Sequence, residues 1–149
     1  MSRVSYRISK TIHAPLEYVY AWCTDFTDED PEIIGAPYTR HVIEKTKKRA
    51  IWIHRYKMNG DTKEGVRIVT LSPPQSWHLE SVNEELTRTG DYTLRSLGLG
   101  NTKLEIVIKT EFKTIKPESA RKLKESLSED WEKYKAALEK DYASARHGK

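Results

Sequence analysis

Residues 102–142 place two different periodicities back to back. From Thr102 to Thr114, Leu104, Ile106, Ile108, Thr110 and Phe112 alternate with Lys103, Glu105, Lys109, Glu111 and Lys113, and Val107 is the one apolar residue on the polar side. A period of two describes a strand with one dry face and one wet face. Pro117 then opens a long helix, because its fixed dihedral suits a first turn. Ala120, Leu123, Leu127, Trp131, Tyr134 and Leu138, continued by Asp141 or Tyr142, recur at spacings of three and four, with Lys, Arg, Glu, Asp, Ser and Ala between them. That is a single apolar stripe. A half-dry strand and a half-dry helix must each bury a face, so the chain has to lay its terminal helix on a sheet.

The rest of the chain supplies the other strands. Val4, Tyr6, Ile8 and Ile12 alternate with Ser5, Arg7, Ser9 and Thr11, and only Lys10 interrupts the apolar face. Pro15 starts a short helix to about Thr24, in which Leu16, Val19 and Cys23 share one face and Tyr18 and Trp22 an adjoining one. A second short helix is expected in the acidic stretch, with Asp28 as N-cap, acids in its first turn and a close near Gly35. Six strand-like runs follow: Thr39 to Thr46, Arg49 to Met58, Glu64 to Leu71, Ser76 to Asn83, Arg88 to Ser96, and Thr102 to Thr114. Asn59-Gly60 predicts a type I′ hairpin, and Pro73-Pro74 and the Gly98–Asn101 stretch mark further turns. Links this short require antiparallel neighbours. The fold class is α+β, in one domain spanning 1–149, with a frayed tail expected over residues 144–149.

Composition removes several functions. There is one cysteine, Cys23, so neither an internal disulfide nor a thiolate zinc cluster is available, and a reducing compartment follows. The net charge of +4 comes from 26 basic residues interleaved with 22 acidic ones, which describes a mixed surface rather than a nucleic-acid stripe. No signal peptide or 18-residue apolar run is read, so the expected location is the cytoplasm. His13, His41, His54, His78 and His147 show no metal-ligand spacing. Glycine-rich phosphate loops and nucleophile elbows are not found either. No metal and no cofactor are expected.

The order of strand, two short helices, six antiparallel strands and a long helix resembles the helix-grip superfamily of START, polyketide-cyclase and birch-pollen-allergen-like (SRPBCC) proteins. The resemblance is carried by Ile12-His13-Ala14-Pro15 with Val19 and Asp25, and by the Leu71-Ser72-Pro73-Pro74 turn. It covers essentially the whole chain, and its motifs are structural rather than catalytic. It implies a seven-stranded curved sheet wrapped around the terminal helix with a cavity between them. The short helices would close one end, with Tyr18, Tyr20 or Trp22 at an entrance and at least two of these three serving as packing.

The residues expected to line that cavity come from alternation. On Arg49 to Met58, the face of Ala50, Trp52, His54, Tyr56 and Met58 has the aromatic bulk and sparse polarity of a ligand pocket, provided no bulge exchanges it with Ile51 and Ile53. Trp77 and Leu79 share a phase toward the helix, where Trp131 and Tyr134 meet them, and Tyr92 joins the set. The expected ligand-binding residues are therefore Trp52, His54, Tyr56, Trp77, Tyr92, Trp131 and Tyr134. His54 is the one candidate acid or base, against the commoner reading of a structural strand histidine. The function expected is binding or transport of a small hydrophobic, lipid-, polyketide- or isoprenoid-like molecule, with a homodimer left open. The alternatives are a cyclase/aromatase-like enzyme using His54, Tyr56 and Tyr92, and a cochaperone-like interaction module using the outer surface. A filled interior favours the module, and an open cavity with convergent polar atoms favours the enzyme.

Overall fold

The alternating runs become seven strands of one antiparallel sheet in the order β1-β7-β6-β5-β4-β3-β2. The structure, a computed structural model, describes residues 2–58, 60–114 and 116–147. The strands are β1 (Ser2–Ile12), β2 (Tyr38–Lys45), β3 (Arg49–Met58), β4 (Asp61–Ser72), β5 (Ser76–Val82), β6 (Leu86–Gly98) and β7 (Asn101–Phe112). Two short helices, α1 (Leu16–Cys23) and α2 (Asp30–Ile33), follow β1, and α3 (Ala120–His147) ends the chain. This is the helix-grip arrangement. Among the described residues no helix is long and apolar enough to cross a membrane.

β7 shows why the sheet has one dry face. Leu104, Ile106, Ile108, Thr110 and Phe112 are buried, while the residues between them are partly or fully exposed. The lysine that interrupts β1 has a cross-molecule role: Lys10 Nζ donates to Ser128 Oγ at 2.8 Å and Glu132 Oε1 at 2.6 Å, pinning α3 to the sheet. On β3, Ala50, Trp52 and His54 are buried and face the core, whereas Ile51 and Ile53 are half-buried. A bulge falls on β2 instead, between Val42 and Glu44, and leaves Ile43 on the outside, and a second irregularity lies on β6 between Ser96 and Gly98.

Several boundaries differ from the sequence reading. Asp28 does not cap α2, which starts from Glu29 with Pro31 in its first turn; the Asp28 carboxylate instead accepts the Val42 backbone N–H at 2.8 Å. Pro117 lies three residues ahead of α3, and Ser119, whose Oγ accepts the Lys122 N–H at 3.2 Å, stands before its first turn. Ala120 is exposed, and Leu123 and Leu127 are only half-buried, so Trp131 and Leu138 carry the buried stripe. Residues 144–147 are helical rather than frayed, and Gly148 and Lys149 lie outside the described residues. So does Asn59 of the predicted hairpin. Its neighbour Gly60 has φ 82°, and Met58 pairs with Asp61, which leaves a two-residue connection.

The aromatic and acidic residues of the short helices tie separate elements together. Tyr18 packs on Tyr142, Tyr20 donates its hydroxyl to the Ser76 carbonyl at 3.0 Å, and Trp22 Nε1 donates to Asp141 at 2.9 Å. The acids clamp β2: Asp25 pairs with Lys45 and Asp30 with Arg40, each at 2.6 Å.

Candidate functional site

Antiparallel pairing lines up the inward-facing residues in rows across the sheet. One row runs Leu71, Trp77, Tyr92, Ile106, Ile8. The next runs Ala50, Val69, Leu79, Gly90, Ile108, Tyr6. Gly90 leaves room there for the Tyr92 ring and Ile108 Cδ1, which a Cβ would meet at 2.9 and 3.0 Å and displace. The third row is different in chemistry: Val42, Trp52, Arg67, Ser81, Arg88, Thr110, Val4.

A cavity of about 410 Å³ lies over these rows. Its sheet side is lined by Tyr6, Tyr38, Arg40, Trp52, Arg67, Trp77, Leu79, Arg88, Tyr92 and Ile108, and its α3 side by Leu127, Asp130, Trp131 and Tyr134. Trp22, Phe26, Asp30 and Ile34 complete it from the short-helix end, so all four tryptophans of the chain reach the same space. The aromatic rings form a chain. Trp77 stacks on Tyr92 with centroids 5.0 Å apart and planes 9° from parallel. Tyr92 meets Trp131 at 6.1 Å, Trp131 meets Tyr134 at 5.1 Å, and Tyr134 meets Trp22 at 6.4 Å.

Of the residues expected from the sequence, Trp52, Trp77, Tyr92, Trp131 and Tyr134 line the cavity, and His54 and Tyr56 do not. His54 is packed against Tyr38 and Tyr56, with ring centroids 4.4 and 5.2 Å away, and its Nδ1 has no hydrogen-bond partner. Tyr56 donates its hydroxyl to the buried Glu85 carboxylate. Burial, followed by that hydrogen bond, raises the Tyr56 pKa and keeps the phenol protonated.

The charged residues of the site escape a reading by polarity. Arg40 donates from Nη1 to Asp30 Oδ2 at 2.6 Å, and its guanidinium lies 4.2 Å from the Trp52 ring centroid. Phe26 packs on Trp52 at 5.0 Å. Arg67 Nε donates to Ser81 Oγ at 3.3 Å and Arg88 Nε to Thr110 Oγ1 at 3.1 Å. The usable signal was phase: Arg88 alternates in step with Gly90, Tyr92 and Leu94, and Arg67 with Val69 and Leu71.

These environments fix protonation states. Burial, reinforced by the Arg67, Arg40 and Arg88 cations, lowers the His54 pKa to about 3. His54 is therefore a neutral imidazole near pH 7. Burial pushes Tyr92 up to about 12 against the opposing pull of Arg67 and Arg88, so its hydroxyl is a donor. Burial likewise raises the Asp130 carboxyl and the Cys23 thiol, which makes Cys23 a poor nucleophile. Among the described residues no three His, Cys, Asp or Glu side chains are grouped to hold a metal ion.

The His54 shift predicts a pH dependence with a definite sign. An unfolded imidazole near 6.5 binds a proton that the folded one refuses until about pH 3, so stability is full above the unfolded value and falls as pH drops through that window. One such group contributes a slope of at most about 1.4 kcal/mol per pH unit. Urea unfolding of His54→Gln from pH 7 to 4 should show a shallower loss than wild type; parallel curves would mean that His54 titrates alike in the folded and unfolded chains.

No family model matches the chain, and no curated protein matches it by sequence. Solved structures do. The Zhui aromatase/cyclase from Streptomyces sp. R1128 superposes with a TM-score of 0.71 at 11% identity, covering 96% of this chain and 95% of that one. Ara h 8.0201 gives 0.70 at 12%, covering 92% and 98%. A START superfamily protein from Mycobacterium smegmatis gives 0.64 at 15%, covering 95% and 98%. The class defined is the helix-grip, SRPBCC-type fold. At these identities the likeness is one of architecture.

Proposed function

We propose that the protein binds a small, largely apolar molecule in the cavity between the sheet and α3. The observation that carries this reading is the 410 Å³ space walled by the Trp77, Tyr92, Trp131 and Tyr134 rings. It falls within the size range of small-molecule sites, and each Å² of apolar ligand surface buried there contributes roughly 25 cal/mol before entropic and desolvation costs. The open interior gives less support to the interaction-module reading, which expects a filled one.

A neutral aromatic probe, 2-naphthylmethanol, tests the proposal. It should change tryptophan emission and raise the unfolding temperature, since a ligand that binds only the folded state stabilises it. Leu127→Trp, which enlarges a half-buried wall residue into the cavity, should weaken both responses. Equal responses from the two proteins would place the probe elsewhere.

The convergence of Arg67, Arg88 and Tyr92 on the same space favours a second reading, an aromatase/cyclase-like enzyme. That reaction would use the Tyr92 hydroxyl and the arginines to orient a carbonyl or enolate oxygen. It would not use His54, which is neutral and outside the lining. Turnover lost in Tyr92→Phe with probe affinity retained would select it.

A further inference from the structure

The sheet's inner face carries a polar row beside two apolar ones. In that row Arg67 and Arg88 both pair with Ser81, from opposite sides. The spacing of adjacent strands puts their Cα atoms about 10 Å apart. Both side chains line the cavity. Each is anchored through Nε to a buried hydroxyl, Ser81 or Thr110, which leaves the terminal nitrogens of both forks available.

Neither arginine has a carboxylate partner among the described residues. The cavity's third arginine, Arg40, is already paired with Asp30. Of the other carboxylates lining the space, Asp25 pairs with Lys45, Asp141 accepts from Trp22 Nε1, and Asp130 is paired with neither arginine. Two cations held in an aromatic cavity with no carboxylate paired to either are unfavourable unless a ligand supplies one. A second observation agrees: Trp52 Nε1, on a residue 1% exposed, and Arg40 Nε, on a side chain 6% exposed, have no hydrogen-bond partner, and both residues line the same space.

We propose that the ligand is an anionic amphipath, whose oxyanion head, a carboxylate or phosphate monoester, lies between Arg67 and Arg88 while its apolar ring body covers Trp77, Tyr92 and Trp131. Guanidinium forks match such heads with paired, charge-assisted hydrogen bonds. The inference rests on the ligand-binding reading above and adds the chemical class of the ligand to it.

Three probes sharing one ring system test it by calorimetry near neutral pH: 2-naphthylmethanol, 2-naphthoate and 2-naphthyl phosphate. At least one anion should bind wild type about tenfold or more tighter than the alcohol, and whichever anion is preferred identifies the head. In Arg67→Gln/Arg88→Gln that advantage should disappear while the alcohol still binds. Lys109→Gln, an exposed cation of the outer face, should keep it. If the double variant does not fold, each single Gln variant should lose about threefold or more of the advantage. An alcohol that binds as well as both anions, or a preference that survives removal of the arginines, overturns the inference and leaves the cavity reading intact. Failure of all three probes to bind wild type overturns both.

Discussion

Trp52→Ala should lower unfolding stability by about 3 to 5 kcal/mol, the range for deleting a large aromatic from a packed interior. Trp52 is 1% exposed, in a row whose neighbours are Val42 and Arg67, so few groups can move into the space it leaves. Its loss would also strip the Arg40 guanidinium of the ring it covers at 4.2 Å and leave Phe26 without its partner at 5.0 Å. Trp52→Phe, which retains an aromatic face, should recover a substantial part of the loss. Urea unfolding measures both. A loss below about 1 kcal/mol for the alanine variant would mean that the cavity wall at Trp52 is not packed as described.

The second large effect is expected at the one arginine of the site that has a carboxylate partner. Asp30→Ala should cost about 3 kcal/mol, the low end for breaking a buried ion pair, because Asp30 keeps 23% of its side-chain exposure while Arg40 keeps only 6%. The substitution leaves a buried guanidinium with a stacking partner but no counter-charge. It also removes the acceptor of the Thr27 N–H and hydroxyl, at 3.2 and 3.0 Å. Removing both charges in Asp30→Ala/Arg40→Met should then be less damaging than Asp30→Ala alone, since the apolar methionine carries no unpaired charge into the core. Strictly additive losses would show that the pair is solvated and contributes little.

How far the fold was legible depends on how cleanly each segment kept its period. β7 and α3 carry clear periods of two and of three to four; the β7 face falls where the alternation put it, and the α3 stripe is buried at Trp131 and Leu138 but exposed at Ala120. The start of α3 was misplaced because Pro117 fits a first helical turn sterically, whereas Ser119 provides the hydrogen-bonding oxygen ahead of that turn. Asp28 fitted a helix cap equally well by residue type. The choice was decided by the β2 backbone N–H of Val42, which no local rule reveals.

The aromatic part of the candidate site was legible for the same reason as the core, since Trp52, Trp77, Tyr92 and Trp131 alternate or recur toward the inner face. The arginines were not. On β4 the inner face holds Gly65, Arg67 and Val69 while Val66 is left 41% exposed, so polarity points the wrong way, and the phase of Arg67 with Val69 identifies the inner face only once the register with Trp52 and Ser81 is known. His54 looked like a titrating group because an isolated histidine normally titrates near neutrality. Its neutral state follows from burial, reinforced by three arginines on other strands, and no reading of β3 alone contains them.

The central claim is that the space under α3 receives a ligand, and the four tryptophan indole N–H groups report on it directly because all four side chains line that space. A two-dimensional ¹H–¹⁵N spectrum recorded during titration with 2-naphthylmethanol should move the Trp52, Trp77 and Trp131 indole signals saturably, with the outer-face amides of Lys109 and Glu111 unchanged. Saturable shifts confined to outer-face amides, with the indole signals stationary, would contradict it.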